Sequence, residues 1–246
     1  MVGAMSLVMK GSSNRKTRKA ILLAAGRGER MRPLTDHIPK PLVKVSGKAL
    51  IEHHLSSLVD AGVEEVVINY AHLGEQIIAA LGDGSRYGLS IHYSSEASGA
   101  LETAGGILQA LPLLCSDCDD FIVANSDVWT DYHLKALLNK ELGDNLAHLV
   151  MIDTPDFKSR GDFYLPLSSA SHGQVALQGP GELLTFAGLS VLSKHLFAGL
   201  KPGRLPLLPL LKKAIGVGRV SGEYYAGDWE DVGTVERFEL LNSRLG

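Results

Sequence analysis

The sequence predicts an α/β protein, a mixed, mostly parallel sheet flanked by helices, with a smaller β-rich part in the C-terminal half. Three observations carry that reading. Short apolar strands alternate with amphipathic helical stretches from Lys19 to Ile152. The first strand, Ala20 to Ala25, is a continuous apolar run ending at Gly26, as expected of a strand covered on both faces. The 246 residues are 45% apolar with a formal charge of −3, enough core-forming material to dispense with disulfides and structural metals.

Taken in order, the elements start after an aperiodic stretch. Residues 1–18 mix Gly, Ser, Met and basic residues and read as a flexible tail or leader, leaving 19–246 as a single domain. Gly26 to Pro39 holds no hydrophobic period and is predicted to be a long loop. Ala49 to Asp60 places Leu50, Ile51, His54, Leu55 and Leu58 on one helical face, and Gly62 stops it. Glu65–Tyr70 is a strand, Gly74–Leu81 a helix, Leu89–Tyr93 a strand, and Thr103–Leu111 a helix closed by Pro112. Phe121–Asn125 is a strand, His133–Glu141 a helix and Leu146–Ile152 a strand. Beyond Asp153, Asp162–Leu167, Gln174–Leu177 and Leu183–Leu189 read as hairpins or edge strands. Leu205–Ile215 and Val235–Leu245 read as closing helices.

Composition excludes several classes. The net charge argues against a nucleic-acid binder, and no apolar stretch approaches the ~20 residues of a membrane helix. Two cysteines, Cys115 and Cys118, make no disulfide framework, so a cytoplasmic protein is expected. Their Cys-x-x-Cys spacing lies among acidic residues that oppose thiolate formation, and one pair is too few for zinc. His53 and His54 lie on a helix beside apolar residues and are expected to pack or be surface-exposed rather than bind a ligand, and Tyr224 and Tyr225 to occupy two faces of a strand.

The chemistry concentrates in three segments. Gly26-Arg27-Gly28-Glu29-Arg30-Met31-Arg32-Pro33 follows the first strand; its glycines let backbone N–H groups approach a phosphate, and its arginines add charge-assisted donors. Met31 excludes the dinucleotide fingerprint, and the missing Gly-Lys-Ser/Thr excludes a P-loop. Alone, Gly-x-Gly equally fits a solvated turn. In Pro39-Lys40-Pro41 two prolines restrict the backbone around one ammonium, which suits an α-phosphate. Asn125-Ser126-Asp127 ends a strand, where a carboxylate either holds Mg²⁺ with phosphate oxygens or caps a helix starting near Asp131. Asp231, in a Gly-bounded turn before the last helix, is the candidate second carboxylate. Two aspartates and a triphosphate are the usual needs of metal-assisted nucleotidyl transfer.

Leu23-Ala-Ala-Gly-Arg-Gly-Glu-Arg-Met-Arg-Pro33, Pro39-Lys-Pro-Leu42, Glu102-Thr-Ala-Gly-Gly106, Asn125-Ser-Asp127 and Trp229-Glu-Asp-Val-Gly-Thr234 stand in the order and spacing of the sugar-phosphate nucleotidyltransferases, which the chain resembles from about Lys19 onward. Within that superfamily, Gly82 to Gly88, Asp127-Val-Trp-Thr-Asp-Tyr132, Arg160-Gly-Asp-Phe163 and Leu184-Thr-Phe-Ala-Gly188 look most like the N-acetylmuramate α-1-phosphate uridylyltransferases of peptidoglycan recycling. The resemblance implies a Rossmann-like nucleotide-diphospho-sugar transferase fold. It implies that Ala25, Gly26, Gly28, Glu29 and Arg30 cover the phosphates of UTP, with Arg30 on the departing pyrophosphate. Lys40 would bind the α-phosphate. Gly105 would lie near the base and Asn125 near nucleotide or sugar. Asp127 and Asp231 would hold Mg²⁺, and Asp162 and Thr185 would meet the sugar 1-phosphate.

Partners implied are therefore UTP and a sugar 1-phosphate, with no nucleic acid or membrane, in a monomer or small homo-oligomer. Rival readings are a mannose- or heptose-1-phosphate guanylyltransferase and a glucose-1-phosphate thymidylyl- or uridylyltransferase. A non-catalytic sugar-nucleotide sensor would be expected to lack one of Arg30, Lys40, Asp127 or Asp231, and all four are present. Departures from the family pattern are Ser126 where Gly is common, Glu29 where Thr is common, and Lys44 and Ala49 where many relatives carry Pro. Charge distribution qualifies the neutral total: Arg15 to Lys48 carries +8 and the remainder −11.

Overall fold

The computed structural model describes residues 19–96, 99, 101–116, 118–166 and 172–246. The tail expected over residues 1–18, and Leu167 of the strand expected at 162–167, lie outside them.

β1 (Ala20–Leu23) leads through three 3-10 turns, Glu29–Met31, Leu34–Asp36 and Lys40–Leu42, to a small hairpin of β2 (Lys44–Val45) and β3 (Lys48–Ala49). Then come α1 (Leu50–Ala61), β4 (Glu65–Tyr70), α2 (Gly74–Leu81), β5 (Ser90–Ser95), α3 (Glu102–Leu114) and β6 (Asp120–Asn125). The second half contains β7 (Val128–Thr130), α4 (Lys135–Leu138), β8 (Ala147–Ile152), β9 (Phe163–Leu165), β10 (His172–Gln174) and β11 (Glu182–Ser193). It closes with α5 (Leu207–Gly216), β12 (Val220–Tyr224), β13 (Trp229–Asp231) and α6 (Val235–Leu245).

The main sheet runs β10-β12-β8-β11-β6-β1-β4-β5, with β9 pairing to β11. β5, β4, β1 and β6 are mutually parallel, and β11 is antiparallel to both β6 and β8. The mixed, mostly parallel sheet expected from the alternation is thus present. Ile21 of β1 joins the core under α3 and α5, whereas Leu22 joins the core under α1 and α2, which is why that strand reads as an unbroken apolar run. From β1 the chain builds outward to β5 and then returns through α3 to β6 on the other side of β1. That reversal is a topological switch point, and it opens a crevice at the carboxyl ends of β1 and β6. A third core of Met31, Val43, Val45, Leu50, Val232 and Leu241 ties the 28–45 loop to α6.

Four expectations are corrected. Leu183–Leu189 is no edge: it belongs to the twelve-residue β11, which sits inside the sheet between β8 and β6. Its Gly188, at φ +77, falls where the register with β8 shifts, and this irregularity disguises a central strand as turn-like sequence. The helix expected over His133–Glu141 shrinks to α4, because the Asn139 side chain donates to Lys135 O and ends it. α3 runs past Pro112 to Leu114: the proline forfeits only its own i→i−4 bond, and the ladder resumes with Cys115 N–H donating to Leu111 O at 2.8 Å. No helix starts at Asp131; Asp127 is followed directly by β7, which pairs antiparallel with β13.

Candidate active site

The crevice at the switch point has a volume of about 220 Å³ and is lined by Ala24 to Gly26, Lys40, Asn125 and Asp127, among others. Its floor is the paired ends of β1 and β6, where Leu23 stands opposite Asn125. Ser126 closes that floor: its hydroxyl donates to Leu23 O at 2.6 Å, and its N–H donates to the same carbonyl at 3.2 Å. The serine that departs from the family's usual glycine thus bonds inward, away from a ligand. Above the floor, Gly28 adopts φ +67, and an added Cβ would lie 3.0 Å from Thr35 Cγ2 and 3.2 Å from Lys40 Cβ. Thr35 donates to Gly28 O, folding the loop over Lys40.

Lys40 opens the short turn Lys40–Leu42, with Pro39 as its cap and Pro41 next in line. Only 6% exposed, its ammonium lies 2.6 Å from Asp127 Oδ2 and 4.0 Å from Asp231 Oδ1. Asp127 and Asp231 are a hundred residues apart in sequence, and the β7–β13 ribbon joins them. Asp231 pairs with Val128, and Val232 N–H donates to Asp127 O at 3.0 Å. Arg237, from the first turn of α6, holds Asp231 Oδ2 at 3.1 Å, and Arg30 lies 4.0 Å from the same oxygen. Arg30 is two-thirds exposed and able to turn toward a ligand; Arg237 is largely buried, its guanidinium 4.0 Å from the centre of the Phe157 ring.

Among the described residues no group of three His, Cys, Asp or Glu forms a self-sufficient metal cage. Asp127 on the crevice wall, with Asp231 next to it across the Lys40 ammonium, instead fits a hard cation whose remaining oxygen ligands come from phosphates and water.

The other expected site residues divide. Ala25 and Gly26 line the crevice; Glu29 and Arg30 are exposed on the loop that follows and are not part of its lining. Asn125 borders both this crevice and an adjoining cavity of about 340 Å³, and Gly188 leaves room for it: a Cβ there would meet Asn125 Nδ2 at 2.6 Å. Asp162 lines the adjoining cavity, receives Phe186 N–H at 3.0 Å and pairs with Lys158 at 2.8 Å. Thr185 is buried beside it, its hydroxyl 3.5 Å from that of Thr154. Gly105 does not face the crevice. Its N–H donates to Leu205 O, and an added Cβ would collide with Gly203 O at 2.3 Å, so this glycine permits α3 to pack on the 203–205 segment. Thr103 and Glu102 line the crevice in its place.

Sequence reasoning missed Asn69, Glu96 and Arg237. Asn69 directly follows the apolar run Val66–Ile68 near the end of β4, and a polar residue there was the one available signal. Glu96 and Arg237 carry no spacing that marks them. The sequence does place His54 correctly on the inner face of α1, where its Nε2 meets Val128 O at 2.7 Å beneath the Asp127 turn. Burial pushes its pKa down to about 4, so the ring is neutral at pH 7 and donates from Nε2. Cys115 and Cys118 remain thiols; their mutual hydrogen bond, with burial, pushes Cys115 up and away from thiolate chemistry.

A family model described as nucleotidyl transferase matches residues 19–160. The chain is 48% identical over 232 residues to the N-acetylmuramate alpha-1-phosphate uridylyltransferase of Neisseria meningitidis serogroup B, covering 93% of this chain and 98% of that protein. It is 37% identical over 240 residues to the protein of the same name from Caulobacter vibrioides, covering 92% and 96%. The solved structure of a UDP-glucose pyrophosphorylase complexed with UDP-glucose has a TM-score of 0.74 at 18% identity, covering 92% of this chain and 97% of that one, a likeness of fold. No helix among the described residues is long and apolar enough to cross a membrane. Matched by the family model over more than half its length, and by relatives that align along nearly their whole length, the chain belongs to the nucleotidyl transferase family.

Proposed function

We propose that this nucleotidyltransferase joins UTP and N-acetylmuramate α-1-phosphate, giving UDP-N-acetylmuramate and pyrophosphate. The observation that carries the reading is the meeting of Lys40, Asp127 and Asp231 at the switch-point crevice, in a chain 48% identical to a protein of that name. The 24–28 backbone and Arg30 face the triphosphate. Lys40 orients the α-phosphate. The acceptor occupies the adjoining cavity, with Asn125 between the two substrates and Asp162 on the sugar side. Asp127 and Asp231 would hold Mg²⁺, which when bound neutralises phosphate charge as the pyrophosphate departs.

A phosphate oxygen of the acceptor attacks the α-phosphorus, a new O–P bond forms in line, and the α–β bridging P–O bond breaks. No protein nucleophile or base is required, because the attacking phosphate is already anionic at neutral pH. Catalysis is positioning plus charge neutralisation.

Pyrophosphate release with a panel of nucleoside triphosphates and sugar 1-phosphates tests the reading. UTP with N-acetylmuramate α-1-phosphate is expected to turn over fastest under Mg²⁺. Preference for GTP with mannose 1-phosphate would reassign it, and no turnover with any pair would sink it. Asp127→Ala is expected to lower kcat by at least ~10³-fold while the protein stays folded.

A further inference from the structure

We infer that Glu96 is a positioning residue that fixes both walls of the nucleotide crevice through a hydrogen-bond relay of fixed polarity. The inference rests on the crevice being the nucleotide site. Glu96 follows β5, and it and Asn69 of β4 are 2% and 3% exposed at the back of the crevice. Ala24 N–H, where β1 enters the glycine loop, donates to Asn69 Oδ1 at 2.8 Å. Asn69 Nδ2 donates to Glu96 Oε1 at 2.6 Å, and Leu101 N–H, at the start of α3, donates to Glu96 Oε2 at 2.6 Å. One wall carries Ala24 to Gly26 and the other carries Glu102 and Thr103, so two buried side chains set the spacing across which a nucleotide must fit.

The direction of the relay follows from its ends. Both terminal groups are backbone N–H donors, which cannot reverse. Ala24 therefore forces the carbonyl of Asn69 toward itself and the amide nitrogen toward Glu96. Glu96 then faces a donor on each side and must accept at both oxygens, which only a carboxylate does. Three contacts need three acceptors, and Asn69 with Glu96 supplies them. Gly106 completes the arrangement: a Cβ there would lie 2.3 Å from Glu96 Oε1 and 2.7 Å from Asn69 Nδ2. The two glycines of Glu102-Thr-Ala-Gly-Gly106 thus serve different neighbours, Gly105 the 203–205 backbone and Gly106 the relay.

The count gives a decisive experiment. Glu96→Gln keeps the shape but leaves two acceptors for three contacts, so two donors must face each other whichever way the amides turn. Asn69→Asp with Glu96→Gln restores three. The carboxylate now at position 69 accepts from Ala24 N–H and from the amide nitrogen of the side chain at position 96, whose oxygen accepts from Leu101 N–H. Amide hydrogen exchange of Ala24 and Leu101 in the free protein, and KM for UTP against kcat, are measured in wild type, E96Q and the double variant.

E96Q is expected to speed exchange at both amides and to raise KM for UTP on the order of tenfold with a smaller change in kcat. The double variant is expected to return to within about threefold of wild type on both readouts. Protected amides and unchanged KM in E96Q would overturn the inference, as would a double variant no better than E96Q. If E96Q fails to fold, the double variant decides: folded with protected amides supports the relay, and unfolded refutes it. A wild type that neither binds nor turns over UTP would remove the nucleotide reading, and hydrogen exchange would still judge the relay.

Discussion

At the scale of single residues, the site depends on backbone conformation and on supporting side chains as well as on the groups proposed to meet a substrate. Gly28 is the simplest case, with its left-handed backbone and no room for a Cβ beside Thr35 and Lys40. Gly28→Ala is expected to cost on the order of 1–2 kcal/mol of stability and to raise KM for UTP, measured by urea unfolding and steady-state kinetics. Arg237 is the second. It holds one oxygen of Asp231 and stacks on Phe157, leaving the other oxygen toward Lys40. Arg237→Ala is expected to lower kcat at least tenfold with a midpoint loss of only a few degrees, because Asp231 loses its alignment while the core under α6 remains. The glycines and prolines of the loop were legible in the sequence, since they announce backbone constraints directly. Glu96 and Arg237 were not, because a buried carboxylate and a clamping arginine are identical in sequence to solvated ones.

At the scale of elements, legibility followed periodicity. β1, β4, β6 and β8 announce themselves as apolar runs, and α1 and α2 by their buried stripes. β11 did not, because Phe186, Ala187 and Gly188 interrupt its pattern where it bulges past Asn125. Nor did the β7–β13 ribbon, whose strands are three residues each and depend on each other rather than on local propensity. The ribbon converts the sequence-level guess of two aspartates into one cluster. α6 holds its far end, with Thr234 as N-cap accepting from Arg237 N–H at 3.4 Å. Thr234→Ala is expected to cost about 1 kcal/mol in global unfolding, and Thr234→Ser to restore most of it.

At the scale of the whole molecule, two properties follow from charge. Among the described residues, the stretch from Lys19 to Lys48 holds seven Lys or Arg against Glu29 and Asp36, a local +5 in a chain of net −3, so a polyphosphate is expected to be drawn toward it. Raising salt from about 50 to 500 mM is expected to raise KM for UTP several-fold while leaving kcat nearly constant. His54 sets an acid limit. Its folded-state pKa of about 4 lies below the ordinary 6.5, so the unfolded chain binds the extra proton. Its contribution is complete above pH 6.5, shrinks as pH falls toward 4, and totals on the order of 3 kcal/mol. His54→Gln is expected to flatten the fall in unfolding free energy between those two values, read from urea titrations across that range. The pairing of β7 with β13 also bears on the order of synthesis. Residue 127 leaves the ribosome a hundred residues before residue 231, so a nascent or truncated chain that has folded its first parallel strands carries one carboxylate and an unclosed loop. If Asp127 and Asp231 hold the metal together as proposed, competence for chemistry is expected to arrive with β13, and chains that end before it are expected to be inactive.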